Sequence, residues 1–265
     1  MGRPLLLTGA SGTLGRWLAP ALAGRGYALR LSDIAAFPDR LPEGAAFIAA
    51  DLADGAAVEA LAEGVDTILH FGGISVERPW PEIVGPNIIG TTHIFEAARK
   101  ARARVIFASS NHSIGFHPRD RVLNATDPCR PDGYYGLSKV YGEMLGRMMF
   151  DKHGVESVHL RIGSALPAPT EARHLSTWLS LPDLLRAVIA AIEAPATGHA
   201  VVWGASANAA RWWRGDDADR IGFAPQDDAA TFGPLPETGG AVARRWQGGS
   251  FAAQDYDRED ADDRA

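Results

Sequence analysis

Residues 5–15 read LLLTGASGTLG and give the clearest indication of the fold. A short apolar run ends in three glycines, after which leucines recur at helical spacing. This order of strand, glycine loop and helix is typical of a dinucleotide site, although the glycine spacing differs by one position from the usual fingerprint. The glycines allow close approach to a pyrophosphate, and the helix N-terminus favours its negative charge. We therefore assign cofactor contacts to Gly9, Ser11, Gly12, Thr13, Leu14 and Gly15.

Strands and helices alternate along the rest of the chain. Strand patterns follow at residues 27–31, 46–50, 67–71, 104–108, 157–162 and 200–203, and helical patterns at 54–62, 81–103, 135–149 and 182–193. This alternation predicts an α/β fold, a Rossmann-like doubly wound parallel sheet with helices on both faces. Its ligand crevice should lie beyond the carboxyl ends of the strands.

The domain organisation follows from the same pattern. We expect a single NAD-binding domain over residues 1–253, with substrate elements mainly from residues 164–253 in a small C-terminal lobe. The last twelve residues, 254–265, are strongly acidic and are predicted to be disordered. A small satellite core over the sheet edge is expected from five aromatic side chains, Trp212, Trp213, Phe223, Trp246 and Phe251.

Asp33 ends the second strand pattern, close to where a carboxylate would bind the ribose hydroxyls of a dinucleotide. A carboxylate there would repel the 2′-phosphate of NADP, and no arginine follows immediately to reverse that preference. The alternative interpretation is an aspartate that only makes a turn, and Gly72 and Gly73 after the fourth strand are open to the same alternative. Further cofactor contacts are assigned to Asp51, Leu52, Phe71, Gly72, Gly73, Tyr135, Lys139 and Ile162.

Tyr135 and Lys139 are four residues apart in a helical pattern, so both side chains lie on one face about one turn apart. A phenol has a pKa near 10, and a base near neutral pH needs a pKa lower by about 3, to which a nearby cation can contribute. Ser110, at the end of the preceding strand, could hydrogen-bond the reacting oxygen beside the phenol. Taken alone, the pair is also compatible with two surface side chains.

Composition excludes several classes of protein. The net charge is −6 and basic residues form no long patch, so nucleic acid is not expected as a partner. One cysteine, Cys129, excludes an internal disulfide and a cysteine zinc cluster, and no other spacing suggests a metal site. No apolar stretch reaches the length of a membrane span, and the start lacks a cleavage-site pattern. We predict a cytoplasmic protein without metal or membrane partners.

These residues together resemble the extended short-chain dehydrogenase/reductase superfamily. The similarity rests on Thr8-Gly9-x-x-Gly12-x-x-Gly15, then Ser110, then Tyr135-x-x-x-Lys139, and covers residues 5–164. It implies that Tyr135 is the general acid/base and that Lys139 lowers its pKa and holds the nicotinamide ribose. It further implies that Ser110 orients the substrate oxygen and that NAD is the cofactor.

The chain is more closely similar to bacterial uronate dehydrogenases. The similarity is carried by residues 71–77, 108–115, 161–164, 173–178 and 202–208. It implies oxidation of the C1 hydroxyl of cyclic D-galacturonate or D-glucuronate with NAD, giving an aldarolactone. Contacts to the sugar would come from Ser75, Ser110, Asn111, His112, Tyr135 and Ser164, and Arg173 would bind the C6 carboxylate, for which a guanidinium is suited. We also expect a homo-oligomer.

Two other functions stay open at this stage. A sugar-nucleotide epimerase or dehydratase shares the fold, but few residues follow Lys139 to form the larger lobe that buries a nucleoside diphosphate. A dinucleotide-sensing module would not need the complete set of Ser110, Tyr135 and Lys139. His112 is ambiguous, because a lone histidine more often satisfies a structural hydrogen bond than binds substrate.

Overall fold

The computed structural model describes residues 4–258 of the chain. Its strands are β1 (Leu5–Thr8), β2 (Leu29–Asp33), β3 (Ala46–Ala49), β4 (Thr67–His70), β5 (Arg104–Ser110), β6 (Leu123–Asn124), β7 (Ser157–Ile162), β8 (Ser164–Ala165), β9 (Trp178–Leu179), β10 (His199–Gly204) and β11 (Trp213–Arg214). Its α-helices are α1 (Thr13–Ala23), α2 (Gly55–Ala62), α3 (Trp80–Ile83), α4 (Gly90–Ala101), α5 (Tyr134–His153), α6 (His174–Thr177), α7 (Leu181–Glu193), α8 (Ala218–Ile221), α9 (Ala241–Arg245) and α10 (Ser250–Ala253).

Seven of these strands form one sheet in the order β10-β7-β5-β4-β1-β2-β3. Every neighbouring pair is parallel. The strand order reverses beside β1, which lies between β2 and β4, and a ligand crevice is expected at the carboxyl ends of the strands at such a point. The predicted parallel sheet is confirmed, and β6–β11 and β8–β9 form two small additional pairs.

Helices cover both faces of the sheet because alternate strand residues point to opposite sides. Leu5 and Leu7 of β1 belong to a buried cluster that includes residues of α1 and α7. Leu6 belongs to a second cluster, which includes residues of α2 and α4. Each buried leucine contributes about 1.5–3 kcal/mol to folding, so the two apolar layers hold the sheet between the helices.

The predicted single helix over residues 81–103 has a different form. It consists of α3, a π-helical turn at Val84–Ile89 and α4. Pro86 lies in the π-helical turn, where its missing N–H and its ring disfavour regular α-helical hydrogen bonding. The turn places Asn87 against the loop after β4, where its amide bonds both the N–H and the carbonyl of Ile74.

The predicted aromatic satellite core is confirmed for Trp212 and Trp213, which belong to a small cluster with Trp203, and is wrong for Phe223, Trp246 and Phe251. Trp213 stacks on Trp203 at 5.1 Å between ring centroids, whereas Phe223 joins the cluster that contains α1 and α7. Trp246 packs edge-on against Phe116, and Phe251 stacks on His112. The five aromatic side chains therefore do not form one cluster.

The single domain over residues 1–253 and the disordered tail over 254–265 stay predictions, and residues 259–265 lie outside the described part of the chain. Tyr256, just before that part ends, has its ring 6.2 Å from the ring of Phe116. Within residues 4–258 there is no helix both long enough and apolar enough to span a bilayer.

Candidate active site

The glycine loop between β1 and α1 is packed too tightly to accept side chains. Gly9 has φ +71°, and a Cβ on it would lie 2.5 Å from the carbonyl carbon of Phe71. A Cβ on Gly15 would lie 2.2 Å from the carbonyl oxygen of Gly9. Gly12 caps α1 without a side chain, and the first turn holds no acidic residue, so the helix N-terminus is free to bind an anion. The loop therefore fits the pyrophosphate of a dinucleotide.

A cavity of about 580 Å³ lies above this loop, at the carboxyl ends of β1, β2, β4, β5 and β7. All the predicted cofactor residues except Ser11 line it: Gly9, Gly12, Thr13, Leu14, Gly15, Asp33, Asp51, Leu52, Phe71, Gly72, Gly73, Tyr135, Lys139 and Ile162. Ser11 instead connects the loop to β2, donating from its N–H to Asp33 Oδ2 at 3.0 Å and from its hydroxyl to the carbonyl of Ala35.

Asp33 lies at the end of β2 with its carboxylate on the cavity surface. It accepts hydrogen bonds from the N–H groups of Ser11 and Ala35 and forms no ion pair with a cation of the described chain. The nearby Arg16 is paired with Asp39 at 2.7 Å instead. The Asp33 carboxylate is therefore free to accept hydrogen bonds from ribose hydroxyls.

Tyr135, Lys139 and Ser110 come together on one wall of the cavity. Tyr135 and Lys139 lie on successive turns of α5, with Lys139 Nζ 5.5 Å from the centre of the Tyr135 ring. Burial raises the pKa of Tyr135 to about 12, although the interaction with the Ser110 hydroxyl acts in the opposite direction. Burial also lowers the pKa of Lys139 to about 8. In the protein alone the phenol is protonated near neutral pH, so its use as a base requires additional positive charge beside it.

The start of α5 is held by a residue that the sequence did not indicate. Glu77, in the loop after β4, accepts hydrogen bonds from the N–H groups of Tyr134 and Tyr135 at 2.8 and 2.9 Å. Gly133 precedes the helix and leaves room for this carboxylate, since a Cβ there would lie 2.2 Å from Glu77 Oε2. Glu77 thus replaces the usual N-cap side chain and orients the first turn that carries Tyr135.

A buried ion pair connects α5 to the sheet two turns further along. Glu143 and Arg161 form two hydrogen bonds, at 2.9 and 2.7 Å, and both side chains are almost wholly buried. Glu143 also accepts a hydrogen bond from Ser109, the residue before Ser110 in β5. This network fixes the position of α5, and hence of Tyr135, relative to the end of β5.

Most of the predicted substrate residues line the same cavity. Ser75, Asn111 and His112 line it together with Ser110 and Tyr135, whereas Ser164 and Arg173 do not. With its amide oxygen toward Arg173, Asn111 accepts a hydrogen bond from Nη2 at 2.6 Å and donates to the carbonyl of Ile162. Asn111, which lines the cavity, is therefore hydrogen-bonded to Arg173, which does not line it.

Arg173 is a buried cation held by neutral groups. Its Nη1 donates to Ser164 Oγ at 3.2 Å, and its Nε donates to the carbonyl of Gln247 at 2.7 Å. It forms no ion pair with a carboxylate of the described chain. Burial lowers its pKa to about 10, so it keeps its charge near neutral pH. A buried charge without a counter-ion is costly, and a bound anion would compensate it.

Phe251 of α10 is a cavity neighbour that sequence reasoning placed elsewhere. Its ring stacks on His112 at 4.0 Å between centroids, and it lies edge-on to Tyr135 at 6.1 Å. No pattern in the sequence points to this contact, because a lone phenylalanine far along the chain carries no motif. The C-terminal segment thus packs against two side chains that line the cavity.

The comparisons with known proteins agree with this arrangement. The family model for the NAD dependent epimerase/dehydratase family matches residues 5–179, which span the glycine loop and all three of Ser110, Tyr135 and Lys139. The chain belongs to the NAD-dependent epimerase/dehydratase family. It is an enzyme, an NAD-dependent oxidoreductase, as the sequence predicted.

Individual relatives are similar over nearly the whole chain. A uronate dehydrogenase of Pseudomonas putida is 47% identical over 94% of this chain and 95% of its own length. One of Pseudomonas syringae is 48% identical over 94% and 93%. A crystal structure of a uronate dehydrogenase variant from Agrobacterium tumefaciens, complexed with NAD, has a TM-score of 0.90 and 43% identity, covering 96% of this chain and 98% of that one.

Asp33 leads to a test of cofactor selection. Replacing Asp33 by asparagine removes the negative charge but keeps the shape of the side chain. We expect the ratio of kcat/KM for NADP to that for NAD to rise by at least about tenfold, a change of ~1.4 kcal/mol. Exposed Glu63, outside the cavity, provides a control as Glu63→Gln. An unchanged ratio in Asp33→Asn would mean that Asp33 does not select the cofactor.

Proposed function

We propose that the protein oxidises the C1 hydroxyl of cyclic D-galacturonate and D-glucuronate to the aldarolactone with NAD. The observation that carries this proposal is Arg173, a buried guanidinium beside the cavity without a carboxylate partner in the described chain. A hexuronate supplies such a carboxylate at C6, whereas a neutral hexose does not. The names of the relatives at 47% and 48% identity support the same substrate class.

The sugar lies, in this proposal, between Tyr135 and Asn111, which contacts Arg173 behind the cavity. Ser75, Asn111 and His112 contact its hydroxyl groups, because these polar residues line the cavity together with Tyr135. Arg173 and Ser164 bind the C6 carboxylate, for which the side chain of Asn111 gives way or shares the guanidinium. Two parallel hydrogen bonds from the guanidinium would distinguish a carboxylate from a hydroxymethyl group.

Tyr135 is the proposed general base, which takes the proton of the C1 hydroxyl at its phenol oxygen. Ser110 holds that hydroxyl by a hydrogen bond, and Lys139 keeps a positive charge below the phenol. When bound, NAD supplies the hydride acceptor and the positive charge of its nicotinamide ring. Since burial raises the pKa of Tyr135 to about 12 in the protein alone, this added charge is needed for the base to act near neutral pH.

The cofactor contacts are proposed at the residues of the glycine loop and strand ends that line the cavity. Gly9, Gly12 and Gly15 leave room for the pyrophosphate, and the Asp33 carboxylate accepts hydrogen bonds from the ribose hydroxyls. Cytoplasmic location, homo-oligomeric assembly and the absence of nucleic-acid and membrane partners stay predictions.

The experiment is NADH absorbance on mixing the purified protein and NAD with D-galacturonate, D-glucuronate, D-glucose or UDP-glucose. We expect NADH with the two uronates and none with the other two sugars. Equal rates with D-glucose would contradict the role of the carboxylate. Conversion of UDP-glucose is monitored by chromatography, because an epimerase releases no NADH. Such conversion would indicate the sugar-nucleotide enzyme. NAD binding without turnover of any sugar would indicate a sensing module.

A further inference from the structure

Asp132 lies directly behind His112, in the loop before α5. Its Oδ2 is 2.7 Å from His112 Nδ1, and only 1% of its side chain is exposed. Its other oxygen, Oδ1, is buried without a hydrogen-bond partner. His112 is therefore the one side chain of residues 4–258 to which this carboxylate is hydrogen-bonded.

The fold reserves a slot for this carboxylate. A Cβ on Gly115 would lie 1.9 Å from Asp132 Oδ2, and a Cβ on Gly248 would lie 1.8 Å from the same atom. The two glycines come from distant parts of the chain and are joined by a hydrogen bond from Gly248 N–H to the Gly115 carbonyl. Any larger residue at either position would displace the carboxylate, so both glycines are needed for the slot.

His112 is held in place from two sides. The Phe251 ring stacks on the imidazole at 4.0 Å with an interplanar angle of 16°, and Asp132 binds its Nδ1. A carboxylate can only accept hydrogen bonds, so Nδ1 must carry the hydrogen. In the neutral ring Nε2 is then an acceptor, and it forms no hydrogen bond with a residue of the described chain.

We propose that Asp132 is a positioning residue, which holds His112 in the tautomer with hydrogen on Nδ1 so that Nε2 accepts a hydrogen bond from a sugar hydroxyl. The charged groups at the two ends of the site, Lys139 and Arg173, are donors only. The hydroxyl hydrogens of a sugar need acceptors, which Lys139 and Arg173 do not provide. An unprotonated Nε2 provides one. The identity of the sugar rests on the proposed function, whereas the tautomer does not.

The first test measures the tautomer without substrate. Protein labelled with ¹⁵N-histidine is studied by NMR at a pH above the usual imidazole pKa, and His112 is assigned from the signals lost in His112→Gln. We expect a protonated Nδ1 in the wild type. In Asp132→Asn we expect an unprotonated Nδ1. The amide NH₂ would face Nδ1 and donate to it, because the opposite orientation would bury the NH₂ donor where the slot offers no hydrogen-bond partner. A wild-type ring with hydrogen on Nε2 would overturn the proposal.

The second test is a double-mutant cycle in the kinetics of uronate oxidation. Asp132→Asn is expected to raise KM for the sugar about fivefold, the effect of one lost hydrogen bond, with KM for NAD within about twofold of the wild type. The readout is KM and not kcat, because the negative charge of Asp132 also raises the pKa of Tyr135. In the His112→Gln background the same change should alter KM by less than twofold, since Asp132 acts through the ring. Equal effects of Asp132→Asn in both backgrounds would mean that Asp132 only supports the loop, and would overturn the proposal. If the wild type turns over no uronate, the proposed function fails, and the NMR result alone decides the role of Asp132.

Discussion

Replacing Tyr135 by phenylalanine is expected to lower kcat for uronate oxidation by about three orders of magnitude. The phenol oxygen is the proposed base, and general acid–base catalysis contributes about 10²–10⁴-fold to a rate. The ring itself would stay in place, because it packs edge-on against His112 and Phe251. NAD affinity, measured by titration calorimetry, should stay within about twofold, since the glycine loop and Asp33 are unchanged.

A matched control is available on the same helix. Tyr134 precedes Tyr135, is half exposed and does not line the cavity. Tyr134→Phe should therefore keep the wild-type kcat. Near-normal turnover by Tyr135→Phe, or an equal loss in both variants, would remove Tyr135 from the role of base.

Replacing Arg173 by alanine is expected to lower kcat/KM for uronates about 30-fold to several thousandfold. This corresponds to a loss of about 2–5 kcal/mol in transition-state binding. The variant removes the buried cation that the C6 carboxylate would meet. The kcat/KM of Arg173→Lys should lie between those of the wild type and Arg173→Ala, because lysine keeps the charge but cannot form the two parallel hydrogen bonds. Steady-state kinetics with D-glucuronate and D-galacturonate, together with NAD binding, measure the effect.

The control must account for the structural hydrogen bond from Arg173 to Gln247. Arg119 supports the same C-terminal segment, donating to the carbonyls of Ala243 and Trp246. Arg173 is hydrogen-bonded to the cavity residue Asn111, whereas the hydrogen-bond partners of Arg119 in the described chain all lie outside the cavity. Arg119→Ala should therefore change thermal stability as Arg173→Ala does, but leave uronate kinetics near the wild-type values. Unchanged uronate kinetics in Arg173→Ala would exclude a contact with the carboxylate.

Much of the fold was accessible from the sequence because local patterns encode it. The apolar runs and the glycine loop predicted the parallel strands and the dinucleotide site, and the parallel sheet is confirmed by the strand pairing. The class of enzyme and its cofactor were implied by the resemblance that the glycine loop, Ser110, Tyr135 and Lys139 carry, and the family match and the relatives confirm both. Most of the predicted site residues line one cavity, whereas Ser11, Ser164 and Arg173 do not, and the roles of all of them stay proposals.

The charge state of the catalytic residues was not accessible in the same way. Helical spacing correctly placed Lys139 beside Tyr135, and from this we expected a lower pKa for the phenol. Burial has the larger effect in the protein alone and raises that pKa to about 12. Desolvation depends on every group packed around the ring, and no local pattern records it.

The parallel sheet, the glycine loop and the helix that carries Tyr135 and Lys139 could be predicted from local sequence, because each of these depends on residues close together along the chain. Which distant residues support the site became visible in the folded chain alone. Glu77 caps α5, Asp132 orients His112, and Phe251 stacks on that ring. These contacts join segments that are far apart in sequence, and they form only when the sheet brings the carboxyl ends of its strands together.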